Sequence, residues 1–352
     1  MRRSLLLAIA ACLLAYTLAI PSAGADEVTI SAVGDIMLSG SARPVLEQHG
    51  YAHAFAATRT LLSGSDIVVG NLEAPITCAG AEFTGKRFRF RAPLAVAPAL
   101  RQAGFSVLTL ANNHILDFGA AGLADTLGSL QGSGIRFCGA GSSLEQARVP
   151  AIIEAQGKRI AFLAYSLTYP AEFFAGPKRA GTAPGYAPLV TADIRAARKI
   201  ADYVVVSFHW GRELAGRPQP YQTRIAHQAI DAGADVILGH HPHVLQGLER
   251  YRDGVIFYSL GNFAFGSGSR ASDRSIIARI TLDGGIRQVE VFPLNVLNRQ
   301  IRFQPRVLEG ERGEQVIRKL NRLSAGMGTR LVKSGQRYLV AEFGSGQHLA
   351  RK

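Results

Sequence analysis

Cysteine is scarce in this sequence. Only three cysteines occur among the 352 residues, and Cys12, Cys78 and Cys138 lie far apart along the chain. A metal site of the thiolate type needs several cysteines close together, so the sequence excludes that class of site. Any bound metal ion must therefore use oxygen and imidazole ligands. Sequence alone does not decide whether Cys78 and Cys138 pair in an oxidising compartment.

Long apolar runs are also scarce, and the one present lies at the N-terminus. A basic MRR precedes SLLLAIAACLLAYTLAI, which is followed by the small-residue site Ala23-Gly24-Ala25. This order is typical of a secretory signal, so we predict that residues 1–25 are a cleaved signal peptide and that the protein is exported to the periplasm or cell envelope. The alternatives are an uncleaved membrane anchor, because about 17 apolar residues can just span a bilayer, and a lipid attached at Cys12.

Acidic residues are too few to balance the basic ones. The chain has 26 Asp and Glu against 39 Lys and Arg, a formal net charge of +13. Outside the cytosol, such a charge favours attraction to anionic surfaces or polymers. We therefore expect an anionic envelope polymer or phosphoester as the partner, and no nucleic acid.

Internal repeats and low-complexity linkers are absent from the sequence as well. Short apolar or β-branched runs alternate instead with helix-like segments, the pattern of an α/β domain. A hydrophobic content of 47% is ample for a large core. Helix-like stretches lie at 93–104, 120–134 and 221–234, and a hairpin is predicted around Asp283-Gly284-Gly285. The predicted strands are VTISAVG at 28–34, DIVVG at 66–70, SVLTLA at 106–111, RIAFLAY at 159–165, YVVVSF at 203–208, DVILG at 235–239 and VIFYSL at 255–260.

Polar side chains follow five of these predicted strands. They are Asp35; Asn71 and Glu73; Asn112, Asn113 and His114; His209; and His240, His241 and His243. Ligands and catalytic groups gather at the carboxyl ends of strands in open α/β sheets, so we expect these residues to converge on one edge. Taken singly, each has an ordinary explanation as a cap, a turn residue or a buried imidazole. Taken together, they are the oxygen and imidazole ligands that a metal site needs.

The segment GHHPH at 239–243 holds three of the nine histidines. An extended backbone would turn His241 and His243 to the same side, with Pro242 restricting the chain between them. His240 would then point away and pack or hydrogen-bond behind the ligands.

Six motifs occur in an order that resembles one protein family. They are VGDIML at 33–38, VGNLEAPIT at 69–77, LANNHILDFG at 110–119, FHWGRE at 208–213, ADVILGHHPHVLQ at 234–246 and YSLGNFAF at 258–265. Together they resemble the CapA or PgsA family of capsule and poly-γ-glutamate synthesis proteins, which is related to the calcineurin-like metallophosphoesterases. The resemblance implies a four-layer α/β/β/α sandwich of the metallophosphoesterase type. We predict that this domain spans 26–300 and that 301–352 form a C-terminal extension packed on it.

The resemblance also implies a site like a dinuclear centre, holding one or two divalent ions such as Mn, Fe, Zn or Mg. Two positions depart from the metallophosphoesterase pattern, because Met37 replaces a histidine ligand and Asn71 replaces a bridging aspartate. A carboxylate bridge could then come only from Glu73. The candidate metal ligands are Asp35, Asn71, Glu73, Asn113, His209, His241 and His243.

The catalytic candidates are His114 and Asp117. His114 matches the histidine of an Asn-His pair that, in the resembling enzymes, protonates the leaving group or stabilises the transferring phosphoryl. Asp117 lies three residues later and either orients the His114 imidazole or caps the helix that starts near Gly119.

Two loops are candidates for ligand binding. In GKRFRFRAP at 85–93, an extended backbone would place Arg87, Arg89 and Arg91 on one side as substrate contacts, and the alternative is an edge strand protected by its charges. The loop at 168–188 is long enough to be functional and could cover an anionic polymer. Glu213, in FHWGRE, is expected to contact metal, substrate or a nearby arginine.

Two functions fit these observations. The first is an exported, metal-dependent hydrolase-like enzyme of capsule or poly-γ-glutamate-type biosynthesis, acting on a phosphoester or on an envelope polymer. The alternative is a non-catalytic polymer-binding assembly or export factor that retains a metal-binding scaffold, with capsule-synthesis membrane proteins as possible partners. The Asn113-His114 pair favours chemistry, whereas Met37 and Asn71 favour binding.

Overall fold

The computed structural model describes residues 27–341. The predicted signal peptide at 1–25 and the lipid-attachment alternative at Cys12 lie outside these residues. The strands are β1 Val28–Met37, β2 Ile67–Leu72, β3 Val107–Thr109, β4 Arg136–Cys138, β5 Ala140–Gly141, β6 Ala151–Ala155, β7 Lys158–Ser166, β8 Gly181–Thr182, β9 Tyr203–His209, β10 Val236–His240, β11 Leu248–Tyr251, β12 Gly254–Phe257, β13 Asn262–Phe265, β14 Arg274–Leu282, β15 Ile286–Asn295, β16 Arg306–Val307, β17 Leu331–Ser334 and β18 Arg337–Val340. The α-helices are α1 Arg43–His49, α2 Arg59–Leu62, α3 Val96–Gln102, α4 Gly119–Gly132, α5 Leu144–Ala147, α6 Ala187–Ala197, α7 Pro220–Asp231, α8 Asn298–Ile301 and α9 Gly310–Ser324.

Two sheets carry most of the strands. The large sheet has the order β17-β18-β15-β14-β1-β2-β3-β4, with β13 paired to β1 and β16 paired to β15. Its members β1 to β4 are parallel, whereas β14 and β15 are antiparallel. The small sheet has the order β11-β12-β10-β9-β7-β6, and β7, β9, β10 and β12 are parallel in it.

The two sheets pack face to face, because their strands alternate side chains between two cores. In β9, Val205 belongs to the core between the sheets, whereas Val204 and Val206 face the core under α6 and α7. In β1, Ile30 faces the other sheet, and Val33 faces the core under α1 to α4. This arrangement has helices outside both sheets, so the predicted four-layer α/β/β/α sandwich is confirmed.

The C-terminal part of the described chain packs on the same two sheets. The predicted hairpin is β14 and β15, and Asp283 N donates to Gly285 O at 2.9 Å in its turn. Beyond residue 300, β17 and β18 extend the large sheet, and α9 contributes Val316 and Leu320 to the core between the sheets.

Two sequence expectations about side chains and loops are settled by this fold. In residues 27–341 both cysteines are free thiols, with Cys78 exposed and Cys138 buried. The segment at 85–93 forms a loop, so the edge-strand alternative is wrong.

None of the helices in the described range is long and apolar enough to cross a membrane.

Candidate metal centre

The candidate site lies where the carboxyl ends of parallel strands from both sheets meet. Asp35 on β1 and Asn71 on β2 come from the large sheet, and His209 on β9 and His240 on β10 come from the small sheet. Two glycines at these strand ends are in close contact with the backbone that follows β12. A Cβ at Gly34 would lie 1.8 Å from Gly261 O, and one at Gly239 would lie 2.0 Å from Tyr258 O.

Asp35 is fully buried and surrounded by donors. His240 Nδ1 lies 3.0 Å from Asp35 Oδ1, His243 Nδ1 lies 3.3 Å from Oδ2, and the His241 amide donates to Oδ2 at 3.2 Å. Burial opposes ionisation of this carboxyl, but the hydrogen bonds from His240 and His243 hold its pKa well below the usual range. Asp35 is therefore ionised at neutral pH, which is the form that can bind a cation.

Glu73 lies beside Asp35 and is also fully buried. Its Oε1 is 3.6 Å from His209 Nε2 and 3.7 Å from His243 Nε2. Burial, together with the negative charge of Asp35, raises the pKa of Glu73 well above the usual range. A bound cation would reverse this effect by stabilising the carboxylate.

Three groups of side chains have ligand atoms within 4.8 Å of one another. Glu73 takes part in two of these groups, and Glu213 joins the third from an exposed position. The groups are Glu73 with His209 and His241, Asp35 with Glu73 and His243, and Glu213 with His241 and His243.

Buried polar atoms that lack a hydrogen bond test whether these residues fit a metal ion. In residues 27–341, Glu73 Oε1 and His241 Nδ1 are two of the four buried side-chain polar atoms without a hydrogen bond. Unpaired buried polar groups are costly, and both of these atoms belong to the cluster. Carboxylate and imidazole are also the ligand types of divalent metal sites, so the donor set fits.

The imidazoles differ in their readiness to bind a metal ion. Burial, reinforced by His243, lowers the pKa of His241 to about 3, and burial with His241 nearby holds the pKa of His209 well below the usual range. Burial also disfavours charge on His243, but Glu73 and Asp35 raise its pKa to about 9. His209 and His241 are therefore neutral ligands near pH 7, whereas an ion would compete with a proton on His243.

Asparagines connect these ligands to the sheets. Asn71 Nδ2 donates to Asp35 Oδ1 at 2.9 Å and lies 3.3 Å from Glu73 Oε2, while Asn71 Oδ1 accepts from Asn112 Nδ2 at 3.0 Å. Asn262 Oδ1 lies 2.9 Å from His243 Nδ1. The predicted ligand Asn71 thus lies in the centre with its amide engaged by its neighbours.

The Asn-His pair lies on the turn after β3. Asn113 Oδ1 is 2.8 Å from His209 Nε2, which places its amide oxygen at the cluster. Asn112 Oδ1 accepts from the backbone amides of His114 and Ile115 at 3.0 and 2.9 Å and so fixes the turn. This bracing role of Asn112 follows the Asx-turn pattern, which the sequence carries but does not distinguish from a ligand role.

His114 and Asp117 are in direct contact, with 2.7 Å between Nδ1 and Oδ2. The helix α4 has Phe118 as its N-cap and no side-chain cap, so the capping alternative for Asp117 is wrong. Burial lowers the pKa of His114, although Asp117 opposes this shift. The carboxylate therefore orients the imidazole.

Lys86 is a site residue that the sequence does not reveal. Its Nζ is 2.6 Å from Asp117 Oδ1 and 2.9 Å from His114 Nδ1. It stands in GKRFRFRAP beside three arginines, where a lysine has the pattern of an exposed charge. Its burial comes from Asp117 and Phe173, which are distant in sequence.

The predicted substrate residues lie around this centre with different exposures. Arg87 is exposed over the Phe88 ring at 5.1 Å, and Arg91 is exposed over Phe118 at 4.7 Å. Arg89 forms an ion pair with Glu82 at 3.0 Å and donates to loop carbonyls, so it braces the loop.

The backbone at His241-Pro242-His243 differs from the expected extended form. β10 ends at His240, and the φ angles of His241 and His243 are 92° and 57°. The expectation of an extended segment is therefore wrong, because the chain turns back at this point. Both imidazoles nevertheless face the centre, with ring centroids 5.9 Å apart, and such backbone outliers concentrate at functional sites.

Met37 occupies an apolar position next to the centre. It packs in a small cluster with Ala74, Phe90 and Phe265. The Met37 thioether therefore packs among apolar side chains, and the candidate metal ligands are the carboxylates and imidazoles described above.

Comparisons with known proteins place this chain in a family. The model "Bacterial capsule synthesis protein PGA_cap" matches residues 29–267. The chain is 34% identical over 279 residues to the capsule biosynthesis protein CapA of Bacillus anthracis, covering 77% of this chain and 68% of that protein. It is 35% identical over 274 residues to the PGA biosynthesis protein CapA of Bacillus subtilis (strain 168), covering 77% and 72%.

Among solved structures, the calcineurin-like phosphoesterase YfkN from Bacillus subtilis matches with a TM-score of 0.43 and 13% identity, over 86% of this chain and 97% of that chain. The family predicted from the six motifs is confirmed by the family model and by both CapA relatives. The chain belongs to the bacterial capsule synthesis protein family PGA_cap.

Proposed function

We propose that this protein is an exported, metal-dependent hydrolase-like enzyme of capsule or poly-γ-glutamate-type polymer biosynthesis. The observation that carries the proposal is the buried cluster of two carboxylates and three imidazoles in which Glu73 Oε1 and His241 Nδ1 lack hydrogen bonds. Buried polar atoms without partners are costly, and a bound cation would give both of these atoms a partner. The names of the two CapA relatives supply the polymer context.

The residues that would hold one or two divalent ions share position and chemistry. Glu73 belongs to two of the ligand groups and is the shared carboxylate in this proposal. A divalent ion would act there as a Lewis acid on a phosphoryl or carbonyl oxygen of the substrate. The proposed ligands are Asp35, Glu73, Asn113, His209, His241 and His243, with Glu213 as an exposed further candidate.

Asn71 has a different role in this proposal from the one expected at first. Its amide donates to Asp35 and contacts Glu73, so it holds the two carboxylates at their separation. His240 supports Asp35 from behind in the same way. Groups that hydrogen-bond to ligands in this manner commonly set ligand orientation.

His114 is the proposed proton donor. With Nδ1 engaged by Asp117, Nε2 is the atom that would deliver a proton to the leaving group. Burial lowers the pKa of His114, whereas the Asp117 carboxylate favours the protonated imidazole that this role requires. Arg87 and Arg91 are exposed on the neighbouring loop and would attract an anionic substrate.

The location and partners are part of the same proposal. The N-terminal signal pattern and the capsule context of the relatives support export to the periplasm or cell envelope, with an uncleaved anchor as the alternative. The partners would be an anionic envelope polymer and capsule-synthesis membrane proteins.

A second function rests on Met37 and Asn71. Because these residues replace two ligands of the resembling metallophosphoesterases, the site supports a non-catalytic polymer-binding assembly factor as the alternative. Metal bound without turnover would favour this function over the first.

The test measures metal and turnover on the protein that begins at Asp26. Elemental analysis should find a divalent metal, and added Mn²⁺ or Zn²⁺ should raise Tm. An ion that binds only the folded state, at a concentration a hundredfold above its Kd, increases the free energy of unfolding by about 2.7 kcal/mol. Glu73→Gln should abolish the metal-dependent rise, whereas Glu154→Gln, on the exposed part of β6, should keep it. Turnover is then screened with generic phosphodiester and γ-glutamyl substrates. No metal and no rise in Tm would overturn the proposal.

A further inference from the structure

Lys86 connects the loop 83–91 to the catalytic candidates. Its ammonium lies 2.6 Å from Asp117 Oδ1 and 2.9 Å from His114 Nδ1, and it donates to the backbone carbonyl of Asn113. The Lys86 side chain is only 16% exposed, and the Asp117 side chain is 0% exposed. A buried ammonium therefore faces a buried carboxylate directly behind His114.

The contacts of this ammonium indicate how it acts. His114 Nδ1 carries the proton that it donates to Asp117 Oδ2, so of the three groups around the ammonium only Asp117 and the Asn113 carbonyl act as its acceptors. The ammonium is therefore engaged by Asp117 and by the Asn113 carbonyl, and not by a substrate. Lys86 thus acts on the reaction through other residues.

The loop is fastened to the same aspartate at two further points. The Phe90 amide donates to Asp117 Oδ2 at 2.7 Å, and the Phe83 amide donates to the backbone carbonyl of Asp117 at 2.8 Å. The Phe90 ring lies 4.9 Å from the His114 ring. Asp117 is thereby the point at which the loop and the His114 turn are joined.

We propose that Lys86 is a positioning residue for His114, and this inference rests on the proposed function of the site. Together with Asp117, it fixes the imidazole between the loop and the turn after β3. Removal of the ammonium leaves Asp117 as a buried carboxylate without its counter-ion, so the carboxylate that orients the imidazole is itself no longer held in place.

The experiment compares Lys86→Met with Lys86→Arg and with Lys199→Met, an exposed lysine two residues after α6. Lys86→Met should lower kcat by about 10–100-fold, the usual cost of losing a group that orients a functional histidine, with KM and metal content nearly unchanged. Lys86→Arg should restore part of kcat, and Lys199→Met should behave as the wild type. Loss of metal in Lys86→Met, or an unchanged kcat, would overturn the inference.

A second readout does not depend on turnover. The rate at which diethyl pyrocarbonate modifies His114, followed by peptide mass spectrometry, should rise in Lys86→Met and not in Lys199→Met. If no substrate is turned over by the wild type, the proposed function fails while this measurement still tests Lys86. An unchanged rate at His114 would show that Lys86 does not hold the ring.

The variant Lys86→Met with Asp117→Asn removes both buried charges, so it keeps the test open if Lys86→Met alone does not fold. Because Lys86 acts largely through Asp117, diethyl pyrocarbonate should modify His114 in the double variant at about the same rate as in Asp117→Asn alone. Fully additive effects would show that the two residues act independently and would contradict the inference.

Discussion

His114 and His241 are buried histidines of the same centre with different partners. His114 Nδ1 is held by Asp117 at 2.7 Å, whereas His241 Nδ1 has no hydrogen bond although it is buried. An engaged nitrogen orients a ring for proton transfer, and a free buried nitrogen suits a metal ion. The two residues should therefore separate catalysis from metal binding.

His114→Ala should leave the metal content nearly unchanged and remove most of any activity, because general acid catalysis is typically worth about 10²–10⁴-fold in rate. His241→Ala should remove metal and activity together. Elemental analysis and kcat/KM of both variants check this expectation, with His49→Ala at the exposed end of α1 as the control. Metal loss in His114→Ala would make His114 a ligand instead.

The two described cysteines should differ sharply in reactivity. Burial raises the pKa of the Cys138 thiol to about 12, and Cys78 is exposed. At pH 8, iodoacetamide should alkylate Cys78 and reach Cys138 only after unfolding, as read by peptide mass spectrometry. Above the unfolded thiol pKa of about 8.5, the unfolded state loses this proton first, so the Cys138 contribution to stability falls as pH rises. Equal labelling of both thiols would contradict this account.

Most of the centre could be predicted from the sequence at the residue scale. The sequence predicts Asp35, Glu73 and His209 because polar residues follow apolar runs, and the structure brings these side chains together. Lys86 could not be found in this way. A single lysine among arginines has no periodic pattern, and its environment is made by Asp117 and Phe173 from other parts of the chain.

At the scale of elements, the position of β1 depends on the absence of a side chain at Gly34. Its ideal Cβ would lie 1.8 Å from the backbone oxygen of Gly261, an atom that cannot move as a flexible side chain can. The same contact region holds the hydrogen bond from Asp35 N to Gly261 O at 3.0 Å. The register of Asp35 against the loop before β13 thus depends on this glycine.

Gly34→Ala should destabilise the fold by roughly 2–4 kcal/mol or prevent folding, because the clash forces backbone displacement. Gly128→Ala is the matched control, since the same methyl group on α4 meets nothing within 4 Å. Alanine is the better helix former, so this control should be neutral or stabilising by up to about 1 kcal/mol. Urea unfolding of both variants gives the comparison, and equal stabilities would refute the close-contact argument.

Strands and helices were predictable because their apolar periodicity is local. The turn at His241-Pro242-His243 was not, because the positive φ angles of both histidines follow from the chain reversal after β10 and not from residue type. The sequence pattern HPH is equally compatible with an extended segment. Element identity is thus encoded nearby in the chain, whereas this turn is set by its surroundings.

At the scale of the whole molecule, the pairing of the two sheets could not be obtained from periodicity. Each strand shows which of its residues are buried, but Val204 and Val205 on β9 are both apolar and face different cores. Only the resemblance to a known family supplied the two-sheet arrangement. The packing of α9 against the core between the sheets is likewise a long-range contact that no local pattern encodes.

The net charge of +13 gives the molecule a long-range attraction for anionic polymers. If the loop bearing Arg87 and Arg91 also guides the polymer to the centre, binding should depend on where a positive charge lies and not only on the total. Two exposed arginines away from this loop, Arg101 in the last turn of α3 and Arg136 at the start of β4, allow this distinction.

Poly-γ-glutamate binding should weaken for every variant between about 0.1 M and about 1 M salt, because the Debye length falls from about 10 Å to about 3 Å. At low salt, Arg87→Ser with Arg91→Ser should reduce affinity more than Arg101→Ser with Arg136→Ser, although both pairs remove the same charge. Isothermal titration calorimetry on the chain from Asp26 measures the difference. Equal losses would mean that the overall charge alone attracts the polymer and that the loop 83–91 does not guide it to the metal centre.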